Sequence, residues 1–350
     1  MYKLPLDIEL YTIEILKRLS DVNFKIGELK GILNQLPNPE ILLNAITLGE
    51  AKDSSEIENI ITTYDELYKE MANPSSSFGA AKEVLRYHRA IMTGYNYIKE
   101  NGFISIRLIK DIQNEIEINK SGIRKLPGTV IKNTRTGEII YTPPQSETEI
   151  LDYLSNLEQY INLNNEYDPL INMGVIHYQF EAIHPFYDGN GRTGRVINIL
   201  YLVMKNKISY PVLYLSRYII RNKEQYYKLL QESEHDIYKI IEFVQYMLQG
   251  IKETAEFTID FINEIVKSMD ATTKKMKEVL PKLYSNDLVE YLYSNFYTKN
   301  ELFKDEFCIT RQTASIRLKE LEKSGFLYSE QIGKETIYIN VALMELMNKW

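Results

Sequence analysis

One stretch of the sequence constrains the fold and the chemistry of this chain more than any other. It covers residues 184–195 and reads HPFYDGNGRTGR. The preceding segment, INMGVIHYQFEAI, carries apolar residues at roughly helical spacing, and the following segment, RVINILYLVMKN, begins another strongly apolar helix. We therefore predict a short polar loop between two buried helices, with the glycine-rich half of the loop at the N-terminus of the second helix.

The predicted position of the glycines gives this loop a chemical meaning. The first backbone N–H groups of a helix lack partners, and the helix macrodipole places partial positive charge there. Gly189, Gly191 and Gly194 allow the backbone to approach a ligand closely. The guanidinium groups of Arg192 and Arg195 suit phosphate oxygens. The stretch therefore predicts a binding site for a di- or triphosphate.

Two further side chains complete the predicted chemistry. Asp188 offers the hard oxygen ligand that Mg²⁺ takes beside phosphates, and His184 lies where an imidazole can accept a proton from an incoming nucleophile. The stretch is not a Walker A motif, because no GK[ST] follows, and it is not a dinucleotide fingerprint, because no strand precedes it. For the isolated histidines His88, His177 and His235 we expect structural roles.

Residues 184–195 resemble the signature of the Fic family, HxFx(D/E)GNGRxxR, and match it at every specified position. The resemblance implies an all-α Fic fold with a small β-hairpin flap. It also implies a protein adenylyltransferase that transfers AMP from ATP to a Ser, Thr or Tyr hydroxyl of a target protein, itself included, with Mg²⁺ as cofactor. Transfer of other phosphate-containing groups and removal of AMP stay open as related activities.

The resemblance assigns three roles at the start of the loop. His184 would be the general base for the target hydroxyl. Phe186 would anchor the loop in the core. Asp188 would hold the Mg²⁺.

The rest of the signature is implied to bind the phosphates. Asn190 would contact the α-phosphate, the backbone of residues 189–191 with Arg192 would cradle the α- and β-phosphates, and Arg195 would pair with the γ-phosphate. The complete set of predicted ATP-binding residues is Glu58, His184, Gly189, Asn190, Gly191, Arg192, Thr193, Gly194, Arg195 and Asn222.

The stretch SSEIEN in the N-terminal region allows two interpretations. In the first it begins a helix as a capping box, with Ser55 as N-cap and Glu58 three residues later. In the second it resembles the inhibitory motif of Fic proteins, (S/T)xxxE(G/N), with Ser54, Glu58 and Asn59 at the matching places. That resemblance implies that Glu58 pairs with the second arginine of the signature, here Arg195, and inhibits the enzyme. The two interpretations are compatible, and the full signature downstream favours inhibition.

Two segments are expected to border the nucleotide site. Thr129–Lys132 and Glu138–Thr142 are β-prone and flank a polar turn, which predicts a hairpin. By resemblance this hairpin is the flap that aligns a target segment by strand addition. Downstream, Asn222 is either a contact to adenosine or the N-cap of a helix over residues 223–231. Tyr226 and Tyr227 are expected as core aromatics more than as ligands.

Length and composition set the domain organisation. A chain of 350 residues with 44% hydrophobic residues suits two or three domains with sizeable cores. We predict an N-terminal helical region with the inhibitory helix at 1–75, a Fic catalytic core at 76–250, connecting helices at 251–284 and a winged-helix-like domain at 285–350. Within the first region we expect amphipathic helices at Ile8–Leu19 and Val22–Leu33.

Charge and cysteine content limit the partners and the compartment. The net charge of −7 argues against broad nucleic-acid affinity. The single cysteine, Cys308, excludes an intrachain disulfide and fits a reducing cytoplasm. No signal peptide and no membrane-spanning stretch is evident, so we expect a cytoplasmic protein.

The C-terminal pattern of helices followed by a hairpin resembles a winged helix. Its recognition helix would begin at Thr310–Ser315, and Gly333-Lys334 would form the tip of the wing. Residues 281–350 carry nine Lys or Arg and ten Asp or Glu, so the basic face needed for DNA binding is thin. We therefore favour a protein contact or a homodimer interface over DNA binding.

Two classes of function remain. The first is the autoinhibited adenylyltransferase. The alternative is a nucleotide-sensing, DNA-binding regulator that uses the winged helix. The intact His184 and Asp188 favour the enzyme, because a sensor needs no base.

Overall fold

The computed structural model describes residues 1–34, 38–72, 79–118, 122–132, 139–163, 166–213 and 215–349. Over these residues the chain is mainly helical, which confirms the predicted fold class. In chain order the elements are α1 (Ile13–Leu33), α2 (Glu40–Ile57), α3 (Tyr64–Ala72), α4 (Gly79–Asn101), α5 (Ile106–Ile116), β1 (Ile131–Lys132), β2 (Ile139–Tyr141), α6 (Glu147–Asn162), α7 (Pro169–Ile183), α8 (Asn190–Met204), α9 (Leu215–Arg221), α10 (Lys223–His235), α11 (Lys239–Val279), α12 (Asn286–Ser294), β3 (Tyr297–Lys299), α13 (Asn300–Glu306), α14 (Arg311–Lys323), β4 (Leu327–Ile332), β5 (Glu335–Asn340) and α15 (Val341–Lys349).

The centre of the molecule is the pair of helices α7 and α8, which pack against each other and are covered by α4, α5, α6 and α11. Both helices are buried along nearly their whole length, as expected for helices that are apolar on several faces. At the start of α7, Asp168 caps the helix by accepting a hydrogen bond from the Leu170 N–H over 2.8 Å, and Pro169 takes the first helical position. The loop predicted between two buried helices is confirmed.

The N-terminal region differs from the prediction. We expected two helices, but α1 is a single helix that begins after the N-cap Thr12 and runs to Leu33. No glycine or proline separates the two predicted stretches, and the buried positions continue at helical spacing from Ile15 through Val22 to Leu33. Residues 8–12 lie before the helix.

Helix α11 is the longest element and organises the second half of the chain. Its 41 residues span about 60 Å, and α1 lies along it. It runs without a break through residues 250 and 251, where we placed a domain boundary. The predicted division into domains stays a prediction.

The β-structure is small. β1 and β2 pair antiparallel, with Ile131 opposite Tyr141, and residues 133–138 of the predicted hairpin lie outside the described residues. β3, β5 and β4 form an antiparallel sheet in that order, with Tyr297 opposite Ile339. The predicted C-terminal helices and hairpin are present, whereas β3 and α15 had not been expected. The winged-helix interpretation stays a prediction.

In the parts of the chain that the structure covers, every helix is too short or too polar to cross a bilayer.

Candidate active site

Helix α7 ends at His184, whose backbone has the left-handed conformation with φ 45°. A non-glycine residue rarely adopts this conformation unless its surroundings enforce it. Here Arg124 does so: its Nε donates to the His184 carbonyl over 2.8 Å, and its backbone N–H donates to the Pro185 carbonyl over 3.0 Å. The fully buried Arg124 therefore fixes the direction in which the loop leaves α7.

The loop is closed by a reciprocal pair of hydrogen bonds between Phe186 and Asn190. The Phe186 N–H donates to Oδ1 of Asn190 over 2.9 Å, and Nδ2 of Asn190 donates to the Phe186 carbonyl over 2.8 Å. The Phe186 ring is fully buried, in the place predicted for an anchor. The Asn190 side chain thus holds the loop, and its predicted contact to the α-phosphate stays a prediction.

Helix α8 begins directly after Gly189, which is its N-cap with φ 78°. Glycine is favoured there by this backbone conformation. A side chain at Gly189 would also meet Glu117, because an added Cβ would lie 2.9 Å from Cγ of that residue. The first N–H groups of α8 have no partner within the helix, and the partial positive charge there is what the phosphate prediction relies on.

The first arginine of the signature, Arg192, is buried and surrounded by carboxylates. Its Nη2 forms an ion pair with Oε1 of Glu117 and lies 4.0 Å from Oδ1 of Asp188, and its Nη1 lies 3.6 Å from Oε2 of Glu83. Asp188 itself accepts a hydrogen bond from the Gly189 N–H over 2.8 Å.

The second arginine, Arg195, is almost completely buried and is held by the end of α2. Its Nε donates to Oγ of Ser54 over 2.8 Å, and its Nη2 donates to the Ser54 carbonyl and to Oε1 of Glu58, each over 2.9 Å. The predicted pairing of Glu58 with Arg195 is therefore present, and the contacts from Ser54 had not been predicted. The inhibitory effect of this contact stays a prediction.

The capping-box interpretation of the SSEIEN stretch is wrong, because this stretch ends a helix instead of beginning one. Ser55 lies in the last turn of α2 and Glu58 is the C-cap. The Asn59 N–H donates to the Glu56 carbonyl, and the Ile60 N–H donates to the Ser55 carbonyl. This is a Schellman motif, and Asn59 adopts the left-handed conformation that the motif requires, with φ 64°.

The last carbonyls of α2 are all satisfied. Those of Ser55 and Glu56 accept the bonds of the Schellman motif, that of Ser54 accepts from Arg195, and that of Ile57 accepts from Nζ of Lys223 over 2.5 Å. The end of the helix is therefore tied to α8 and α10.

The Glu58 carboxylate lies over the start of α8. A Cβ built on Gly191 would be 2.5 Å from Oε1 of Glu58 and 3.0 Å from Nη1 of Arg195. The absence of a side chain at Gly191 thus lets a carboxylate reach the positive end of the helix and the guanidinium together. Burial alone would lower the pKa of Arg195, but the charge and hydrogen bond of Glu58, together with Tyr87 and Tyr226, raise the pKa above its ordinary value.

His184 is set up as a neutral imidazole. Burial, reinforced by the positive charge of Arg124, lowers its pKa to about 4. At neutral pH the ring therefore carries no charge and can accept a proton. By contrast His177 is a structural histidine: it is fully buried, and its Nε2 is 2.7 Å from the Tyr226 hydroxyl.

A cavity of about 150 Å³ opens beside His184, between the β1–β2 ribbon and α10. Two acids in its wall are unusual, because burial raises the pKa of Glu181 and of Glu234 to about 7. Within the described structure Oε1 of Glu181 and Oε2 of Glu234 have no hydrogen-bond partner. The lining residues are Glu58, Ile131, Tyr141, Glu181, Ala182, His184, Gly191, Arg195, Tyr226, Tyr227, Leu230, Gln231 and Glu234.

The structure brings Tyr226 and Tyr227 to the cavity but not Asn222. Tyr226 is buried and Tyr227 is exposed, and both line the cavity wall. Asn222 occupies the N-cap position of α10, but its side chain donates to the Tyr218 carbonyl over 3.0 Å instead of capping that helix. Neither the predicted side-chain cap nor a place in the cavity wall is seen for Asn222.

The donor set fits a magnesium ion that takes most of its ligands from a nucleotide. Asp188 is partly exposed and lies next to the N-terminus of α8. In the described ranges no group of three or more His, Cys, Asp or Glu side chains could hold a metal by itself. Mg²⁺ beside phosphates needs only one or two protein carboxylates, since phosphate oxygens and water complete its shell.

Sequence reasoning missed several residues of this site. Glu181 lies three residues before His184 on α7, so helical spacing could have placed it on the same face. Arg124, Glu117 and Glu234 are brought in by tertiary packing, and no local pattern marks them.

Comparisons with known proteins find Fic relatives, and the two family models match regions on either side of residues 184–195. A family model described as Fic/DOC family N-terminal matches residues 16–96, and one described as protein adenylyltransferase SoFic-like, C-terminal domain, matches residues 268–343. A probable protein adenylyltransferase of Aquifex aeolicus is 26% identical over 71% of this chain and 73% of its own length. The protein adenylyltransferase Fic of Culex quinquefasciatus is 25% identical over 51% of this chain, which spans only 34% of that protein.

Solved structures show the same fold. A Fic family protein from Desulfovibrio desulfuricans G20 aligns with a TM-score of 0.62 at 16% identity, over 97% of this chain and 99% of its own. Fic-1 from C. elegans aligns with a TM-score of 0.55 at 18% identity, over 72% of this chain and 74% of its own.

Proposed function

The chain belongs to the Fic family, and on this premise we propose that it is a protein adenylyltransferase, which transfers AMP from ATP to a Ser, Thr or Tyr hydroxyl of a target protein. The observation that carries the proposal is that the neutral imidazole of His184 lines the same cavity as Arg195 and Gly191, at the start of α8. An anion site beside a base is what nucleotidyl transfer to a hydroxyl needs.

In the proposed reaction the target hydroxyl oxygen attacks the α-phosphorus of ATP. A new bond forms between that oxygen and phosphorus, the bond from phosphorus to the bridging oxygen of pyrophosphate breaks, and pyrophosphate leaves. His184 accepts the hydroxyl proton, for which its pKa of about 4 leaves it free at neutral pH. The N–H groups at the start of α8 and Arg192 hold the phosphates in line.

Asp188 is the residue that would hold Mg²⁺. When bound, the ion offsets the negative charge of the phosphates. The side chain of Asp188 is already directed by the Gly189 N–H, so its carboxylate is held next to the start of α8.

We assign the cavity beside His184 to the adenosine. Its walls include the aromatic rings of Tyr226 and Tyr227 and the aliphatic side chains of Ile131 and Leu230, which suit a planar base. The β1–β2 ribbon borders the same cavity through Ile131 and Tyr141. An unpaired edge of this ribbon can hold a target segment by strand addition, close to the base.

We further propose that the enzyme inhibits itself through Glu58. The Glu58 carboxylate accepts a hydrogen bond from Nη2 of Arg195, the side chain expected to bind the γ-phosphate. ATP could then enter without its phosphates being aligned for attack. By resemblance to Fic proteins with an inhibitory glutamate, we propose the reverse reaction, removal of AMP, as a second activity.

The C-terminal residues 285–350 are better suited to binding a protein than to binding DNA. We propose that residues 285–350 form a winged-helix-like unit whose partner is a protein, including a second copy of this chain. The near balance of nine basic and ten acidic residues in 281–350 supports this, because DNA binding needs a strongly basic face. A DNA-binding regulator therefore remains the less favoured alternative.

The experiment is a double-label transfer assay. The Glu58→Gly variant is incubated with Mg²⁺, a lysate of the source cell and ATP labelled at either the α- or the γ-phosphate. We expect protein labelling from the α-label only, and none from the Glu58→Gly, His184→Ala double variant. Labelling from the γ-phosphate would identify a kinase activity, and no labelling from either position would contradict the proposal.

A further inference from the structure

The two signature arginines are both occupied by carboxylates that come from outside the signature. Arg195 is held by Glu58 at the end of α2. Arg192 is held by Glu117, which is the C-cap of α5 and lies 75 residues from Arg192 in sequence. The proposed inhibition by Glu58 involves only the first of these contacts.

The contact between Glu117 and Arg192 is built into the fold. The Glu117 N–H donates to the Gln113 carbonyl over 2.8 Å, and Nε2 of Gln113 donates to the Asp188 carbonyl over 3.1 Å. Glu117 also packs on Gly189, where an added Cβ would lie 2.9 Å from its Cγ. The end of α5 is therefore fastened to the loop at the point where the phosphates are expected.

The charge balance around Arg192 is unfavourable for a phosphate. Its guanidinium is buried, with a side-chain exposure of 4%, and Glu117 is mostly buried at 16%. Glu83 and Asp188 add two more carboxylates within 4.0 Å of the same guanidinium. One positive charge thus faces three negative groups.

Part of the guanidinium nevertheless forms no hydrogen bond among the described residues, although Nη1 is in ion-pair distance of Glu83. Over the residues that the structure covers, Nε and Nη1 of Arg192 donate no hydrogen bond although both are buried. Buried donors without acceptors are costly, and here they lie beside the N-terminus of α8. Phosphate oxygens entering this site would satisfy them, but would compete with Glu117 for the same cation.

We propose that Glu117 is a positioning residue that sets the affinity for the nucleotide by competing with its β-phosphate for Arg192. This inference rests on the proposed function, because that function places the α- and β-phosphates at Arg192. It is separate from the inhibition by Glu58, which concerns Arg195 and the γ-phosphate. The two acids then act on different arginines: Glu117 on how tightly the nucleotide binds, and Glu58 on whether its phosphates are aligned.

ADP is the suitable probe, because it carries the β-phosphate and lacks the γ-phosphate that Glu58 would oppose. In calorimetric titrations of the full-length protein with ADP and Mg²⁺, we expect Glu117→Gln to bind roughly tenfold more tightly than wild type. The matched control is Glu115→Gln, two residues earlier on α5, which removes the same charge from the partly exposed ion pair with Arg89. We expect the control to bind ADP as wild type does.

A double-mutant cycle with Arg192→Ala tests whether Glu117 acts through that arginine. Adding Glu117→Gln to Arg192→Ala should give no further gain in ADP affinity. Unchanged or weaker ADP binding by Glu117→Gln would overturn the proposal, as would an equal gain in the presence and absence of Arg192. If Glu117→Gln does not fold, Glu83→Gln takes its place in the cycle, with a smaller gain expected and the same outcomes decisive.

The assay separates this inference from the proposed function, because ADP binding requires no transfer. Tighter ADP binding by Glu117→Gln without any AMP transfer would contradict the proposed function and leave the role of Glu117 intact. AMP transfer together with no gain in ADP affinity for Glu117→Gln would contradict the role of Glu117 and leave the proposed function intact.

Discussion

Oε1 of Glu58 accepts a hydrogen bond from Nη2 of Arg195 over 2.9 Å, at the N-terminus of α8. The two residues are far apart in sequence and are brought together because α2 ends in a Schellman motif beside the signature loop. A guanidinium accepts a carboxylate and a phosphate by the same geometry. The Glu58 carboxylate can therefore take the place of a γ-phosphate at Arg195, and this equivalence is the physical basis of the proposed inhibition.

The first prediction concerns Arg195. Arg195→Ala should not activate the enzyme, although it breaks the contact with Glu58, because it also removes the partner of the γ-phosphate. It should in addition lower the free energy of unfolding by about 1–3 kcal/mol, since the Ser54 carbonyl loses its partner. α-Label transfer and chemical denaturation measure the two effects. Activation by Arg195→Ala would show that loss of the contact alone is sufficient.

The second prediction concerns His184. His184→Ala should reduce transfer by about 10²–10⁴-fold, while ATP affinity changes by no more than a few-fold, because the imidazole acts on the hydroxyl. Burial lowers the pKa of His184 to about 4, so the base stays neutral well below the ordinary histidine pKa. The acid limb of kcat/KM against pH should therefore lie nearer 4 than 6.5. A limb at 6.5 would assign the base role to another group.

The third prediction concerns the metal. Asp188→Ala should lose Mg²⁺-dependent transfer, because Asp188 is the carboxylate of the signature loop that faces the phosphate site. A titration of activity with Mg²⁺ compares the variant with wild type. Activity of the wild-type protein that persists in excess EDTA would contradict the role of Mg²⁺ in transfer.

The fourth prediction concerns stability against pH. Glu50 lies on α2, one helical turn before Ser54, and is buried against Ser216 and Tyr87. Burial raises its pKa to about 8, so the folded protein holds a proton that the unfolded chain releases above about pH 4.5. Its contribution to stability is therefore present at low pH and is lost as pH rises toward 8.

Glu50→Gln should remove this dependence. Between pH 6 and pH 8 the free energy of unfolding of wild type should fall relative to that of the variant by about 2 kcal/mol. Taking the difference between the two proteins cancels the similar contributions of Glu181 and Glu234. Parallel stability curves for the two proteins over this range would show that Glu50 does not hold the proton.

The sequence predicted the parts of this site that local patterns encode. Residues 184–189 do form a loop between two buried helices and residues 190–195 begin the second one, because the flanking segments are apolar and glycine marks the start of α8. The sequence did not decide between the two interpretations of the SSEIEN stretch, because a capping box and a helix C-terminus can contain the same polar residues. What decides between them is the left-handed backbone at Asn59, which no side-chain pattern states.

Residues that reach the site through tertiary packing could not be predicted from their surroundings in sequence. Glu117 and Arg124 belong to no recognisable motif, yet one pairs with Arg192 and the other fixes the backbone of His184. Asn222 is a different case, because its side chain donates to the Tyr218 carbonyl of the preceding helix α9 and neither caps α10 nor lines the cavity. Local propensity places elements, whereas contacts between distant elements decide which side chains meet.

The most direct test of the account is the rate of AMP incorporation by Glu58→Gly at saturating ATP and Mg²⁺. Since a misalignment of about 1 Å can cost on the order of 100-fold, we expect this variant to label itself and its target up to roughly 100-fold faster than wild type. Glu56→Gly, which alters a neighbouring glutamate of α2 outside the Arg195 contact, should label at the wild-type rate. Equal rates for Glu58→Gly and wild type would contradict the claim that Glu58 restrains the active site.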